Sequence, residues 1–78
     1  MEPVQVDFHV DVDGQATPKG FFWRGRMYPV DSIGRQWQDE RGQHYLVMVA
    51  GGKVFELLFV CEEMQWYLRQ SGRSRWTV

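Results

Sequence analysis

Phe22, Arg24, Arg26 and Tyr28 stand at alternate positions in the stretch GFFWRGRMYPV, residues 20–30. Alternate residues of an extended strand share one face. Two rings interleaved with two guanidinium groups are the chemistry of a single-stranded nucleic-acid contact. Rings stack on bases at about 1–3 kcal/mol each while arginines hold phosphates. The same pattern also describes a solvated strand face, on which arginine stems cover the rings and the heads pair with acids such as Asp31 or Glu56. The formal net charge is −1, whereas a domain that follows a phosphate backbone carries a basic excess. The solvated face is therefore the preferred reading, and nucleic-acid binding through Phe22, Arg24, Arg26 and Tyr28 is the alternative.

A second row, Asp7, His9, Asp11 and Asp13, lies along the opening segment. Residues at i and i+2 of a strand are ~7 Å apart, too far for neighbours in the row to share one small ion. DVDG also lacks the remaining ligands of a calcium loop. The row reads as a charged outer face that discourages strand-to-strand association. Nucleophilic catalysis needs a nucleophile, a base and an orienting group held together. Ser32, Ser71, Ser74 and Cys61, with His9 and His44 as bases, stand in no such motif, and His44 is expected at a strand edge or on the surface. There is no phosphate-binding glycine loop. No catalytic residue, cofactor or metal is assigned, and an enzyme is not expected.

The elements that must position these residues are strands. VQVDFHVDVDG alternates Val4, Val6, Phe8, Val10 and Val12 with polar residues, the period of a half-buried strand. DGQATPKG reads as a loop because Pro18 and Gly20 punctuate it. FFWRGRMYPVDSIGRQW, residues 21–37, reads as a second extended stretch, with Phe21, Trp23 and Met27 on one face, Phe22, Arg24, Arg26 and Tyr28 on the other, and Val30, Ile33 and Trp37 continuing the sheet after Pro29. Gly25 marks a bulge or sharp bend within it, and Pro29 an edge or bend. QDERGQ is a turn.

Gly51-Gly52 separates HYLVMVA from KVFELLFV, the arrangement of a two-residue hairpin turn. Counting from it sets Val49 opposite Val54, Met48 opposite Phe55, Val47 opposite Glu56 and Leu46 opposite Leu57. One face is then Leu46, Met48, Phe55, Leu57 and Phe59. The other is Tyr45, Val47, Val49, Val54, Glu56 and Leu58, also largely apolar. A small antiparallel sheet normally leaves one face polar. The second face is thus either covered by the first strand or exposed as a contact surface formed by Tyr45, Val47, Val49, Val54 and Leu58. After Val60, local periodicity allows a helix with Gly72 as its cap, or a turn followed by a strand with Trp66 and Leu68 inward.

The series Pro18, Phe22-Trp23-Arg24-Gly25-Arg26, Tyr28, Val30, Trp37, Tyr45-Leu46-Val47, Glu56-Leu57 and Trp66-Tyr67-Leu68 resembles a family of short bacterial domains of unknown function. Similar segments are appended to the C-termini of inactive relatives of Y-family DNA polymerases that take part in induced mutagenesis. The resemblance covers roughly residues 15–70. It implies an all-β, SH3-like small barrel, favours turn and strand over Cys61–Leu68, and assigns no catalytic residue.

The expectation is a single small β domain over residues 1–78, with 72–78 a flexible tail. It is a small SH3-like barrel or a strongly curled antiparallel sheet of five to six strands. One cysteine, no apolar run long enough for a membrane helix and no visible signal segment point to the cytoplasm. The expected role is a non-enzymatic protein-interaction module whose partner is another protein or itself, with no membrane. The alternative is a weak single-strand nucleic-acid binder in a DNA-damage setting.

Overall fold

The computed structural model describes residues 1–70. Seven strands follow one another: β1 (Glu2–Val10), β2 (Ala16–Trp23), β3 (Arg26–Pro29), β4 (Ser32–Gln38), β5 (Gln43–Met48), β6 (Val54–Val60) and β7 (Gln65–Gln70). They form one antiparallel sheet in the spatial order β3-β2-β1-β7-β6-β5-β4. β3 and β4 are neighbours in sequence yet occupy opposite ends of the sheet. Only Val30 and Asp31 join them, so the sheet must curl until its ends approach. The Val30 N–H donates to the Lys19 carbonyl at 2.9 Å and the Asp31 N–H to the Met48 carbonyl at 2.7 Å, which ties the linker to both ends. The result is a half-barrel around Val4, Phe21, Val47, Phe55, Leu57 and Trp66. The expected all-β curled sheet is present, with seven strands in place of five or six. The expected tail at 72–78 lies outside the described residues.

Two local features account for the added strand. Residues 16–20, expected in a loop, belong to β2. Pro18 is tolerated there because β3 covers only Gly20–Trp23 and the β1–β2 register shifts opposite it, between Asp7 and Phe8. The stretch expected as one strand instead folds on itself at Arg24-Gly25, whose φ values are +53° and +75°. Positive φ at both central residues makes the two-residue turn that matches strand twist. Phe21 therefore pairs with Tyr28 and Phe22 with Met27, and the expected face assignment is wrong for Tyr28 and Met27.

The β5–β6 hairpin also departs from the counted register. Its loop holds three residues, Ala50 to Gly52, closed by the Val49 N–H donating to the Lys53 carbonyl at 3.0 Å. Gly51 and Gly52 both have positive φ, as expected, but the extra loop residue slips the pairing by one. Met48 opposes Val54, Val47 opposes Phe55 and Tyr45 opposes Leu57. The inner face thus combines Tyr45 and Val47 with Phe55 and Leu57, each at most 1% exposed. Leu46 and Met48, expected inside, lie on the outer face and are half-buried.

Cys61–Glu63 form a single 3-10 turn, Met64 takes φ +51°, and β7 follows. Trp66 and Leu68 point inward, as expected, and are 3% and 2% exposed. Among the described residues no helix is long and apolar enough to cross a membrane.

Candidate functional site

Phe22, Arg24, Arg26 and Tyr28 do not share a surface. Tyr28 stacks on Phe21 at 5.3 Å and approaches Phe55 on the inner side of the sheet. Phe22 pairs with Met27 on the outer side, and both are exposed. Arg24 sits in the turn with its guanidinium 4.4 Å from the Trp23 ring centre, and that of Arg26 is 5.6 Å from Tyr28. Each arginine thus covers an aromatic ring, a cation–π contact. Neither is paired with Asp31 or Glu56; Glu56 binds Arg69 instead.

Tyr45, Val47, Val49, Val54 and Leu58, expected as one contact face, are divided by the slipped register. Tyr45, Val47 and Val49 are core residues, and the Tyr45 hydroxyl donates to the Ala16 carbonyl. Burial raises the Tyr45 pKa. Val54 and Leu58 lie on the outer side and are also buried, at 3% and 4% exposed. The slipped register takes Tyr45, Val47 and Val49 into the core, and burial on the outer side removes Val54 and Leu58.

The outer side carries a polar chain that the sequence reading missed. His44, expected at an edge or on the surface, is only 2% exposed. Its Nδ1 lies 2.7 Å from Glu56 Oε2, and its Nε2 lies 2.9 Å from Asp39 Oδ1. Arg69 donates to Glu56 Oε1 at 2.5 Å. Trp37 covers the imidazole, stacked at 4.8 Å, with the Arg35 guanidinium 5.0 Å from the Trp37 ring centre. Burial disfavours the Glu56 charge, but the hydrogen bonds from His44 and Arg69 outweigh it and hold the carboxyl below its usual range. The bond to His44, then the Arg41 N–H, hold Asp39 low as well. Both ring nitrogens thus lie beside carboxylates, beneath the Trp37 ring. The signal was available: a turn at 39–42 places Trp37 opposite His44.

An open groove lies where β1 outruns β7. Their ladder covers only Glu2–Val4 against Trp66–Leu68. Beyond it β1 continues to Val10 with β2 on one side and, among the described residues, no strand on the other. Gln65 Nε2 donates to the Val4 carbonyl at 3.4 Å and to the Trp66 carbonyl at 2.7 Å, closing the ladder's end. Backbone groups alternate sides along a strand, so those of Val6 face the same way as Val4's, past the start of β7. A groove of about 410 Å³ opens here, lined by Val6, Phe8, Met64, Gln65 and Trp66 among others. Phe8 packs on Trp66 at 5.3 Å and on Phe59 at 5.7 Å, which makes the groove floor continuous with the core. The buried Trp66 indole N–H has no acceptor among the described residues, and Met64 is 68% exposed at the rim. Alternation placed Val6 and Phe8 inward, but nothing in the sequence showed that β7 would stop short of them.

The fold and this opening define a small all-β half-barrel in which, among the described residues, the inner strand β1 is left open beyond Val4 on one side. The chain matches no family model, no curated protein and no solved structure.

Proposed function

We propose that this domain is a non-enzymatic protein-interaction module that docks a partner along the open half of β1. The observation carrying this reading is the edge of β1 beyond Val4, which no strand among the described residues covers, beside a groove of about 410 Å³. An exposed strand edge offers backbone donors and acceptors, and an adjacent groove selects side chains. The likeness to segments appended to inactive polymerase relatives fits an accessory, cytoplasmic role of this kind in a bacterial protein.

The test is a selection of peptides from a random display library on the folded protein, followed by NMR titration of the ¹⁵N-labelled domain. Shifts concentrated at Val6–Val10 and Met64–Trp66 support the proposal. Shifts concentrated elsewhere, or no selected peptide, refute it. Single-stranded nucleic acid is the competing partner. Salt-sensitive binding of a labelled oligothymidine that is lost on Arg24→Ala with Arg26→Ala would replace the protein reading.

A further inference from the structure

Strand edges pair with whatever extended chain their flanking charges admit. The outward residues of the open half of β1 include Asp7 and His9, and Asp11 follows at the strand's end. The turn that delivers Met64 to the groove carries Glu62 and Glu63, both exposed. Against these acids stands Lys19, exposed on β2. A second copy of this chain is a poor occupant. Antiparallel pairing of two β1 edges centred on Asp7 or on His9 sets Asp7 against Asp7 or Asp11 of the other copy, and like charges opposite one another destabilise a sheet.

We infer that the open edge of β1 over Val6–Val10 accepts an extended, basic segment of a different protein as an additional strand. This inference rests on the docking reading above and names the partner's chemistry. The segment's backbone pairs with β1, beginning at the Val6 N–H and carbonyl. Its lysines or arginines face Asp7 and the Glu62–Glu63 turn. Its alternate residues are apolar and enter the groove floored by Phe8 and Trp66, with Met64 at the rim. Period-two alternation of basic and apolar residues is the signature such a strand must carry.

The test reads the composition of the display-selected peptides and their response to charge reversal. The expected peptides alternate Lys or Arg with apolar residues. A labelled synthetic copy of the best one should lose at least about tenfold in affinity on Asp7→Lys with Glu62→Lys. Asp7 and Glu62 are exposed, so folding is retained, and a glutamate-for-lysine copy of the peptide should recover binding to that variant. Asp11 is left intact, because its Oδ1 accepts from the Asp13 and Gln15 N–H groups at 3.0 Å each and holds the β1–β2 turn. Selected peptides that shift Val6 and Trp66 yet are acidic or uncharged, or that bind the reversed variant equally well, overturn the basic partner and leave the docking site standing. Peptides that shift only other surfaces, or none selected, overturn both.

Discussion

Replacing Glu56 by glutamine tests the buried polar chain at its centre. The carboxylate accepts from His44 at 2.7 Å and from Arg69 at 2.5 Å while only 5% exposed. Glutamine keeps the shape but offers one acceptor oxygen and one NH₂ donor, so only one of the two donors retains its partner. Arg69 is 61% exposed and can turn to water, whereas His44 is sealed beneath Trp37. The amide oxygen should therefore face His44, and the loss should fall at about 1–3 kcal/mol. For a domain of this size each kcal/mol lowers Tm by about 4–8 °C, which calorimetry at pH 7 resolves. The pH dependence has a fixed sign. The Glu56 carboxyl titrates lower in the folded protein than its reference value of 4.5. The stability it adds is complete above that reference and lost as pH falls through the folded value. The gap between the native protein and Glu56→Gln should close on acidification below about pH 4. A Tm difference under about 2 °C at pH 7, or a gap that widens in acid, refutes the reasoning.

Phe55→Ala should cost about 3–5 kcal/mol in urea titrations, because Phe55 is the edge-on partner of Phe21 at 5.1 Å and Trp23 at 5.2 Å and joins the β2–β3 hairpin to β6. Gly42→Ala should destabilise by more than about 1 kcal/mol, since φ is +152° and a Cβ there would lie 2.2 Å from the Phe59 carbonyl oxygen; unchanged stability would contradict the close approach of the β4–β5 turn to β6. Met64→Gly should stabilise by about 0.5–1 kcal/mol, because relief of the left-handed φ of +51° exceeds the added chain entropy of glycine; a lower Tm would refute this.

The class of fold was legible where period and turn chemistry agreed. Val4, Val6 and Phe8 face inward as their alternation implies. The pattern continues to Val10 and Val12, but these are 53% and 102% exposed, because the chain leaves the core before its alternation ends. The hairpin at Gly51-Gly52 was recognisable, yet its register depends on whether Ala50 joins the loop. That single residue moves Tyr45 and Val47 to the inner face and divides the expected contact surface. Arg24-Gly25 hid a second hairpin because an arginine at positive φ does not announce a turn as asparagine would. The groove depended on the relative lengths of β1 and β7, a tertiary outcome that local pattern does not carry.

Amide hydrogen exchange at Val6, followed by NMR, bears most directly on the docking claim. In the free domain the Val6 N–H should exchange orders of magnitude faster than the paired amides of β6, in the manner of an unprotected edge, and saturation with a selected basic peptide should slow it at least about tenfold as a strand is added. A Val6 amide already protected in the free domain, or one that the bound peptide leaves unchanged, contradicts the account.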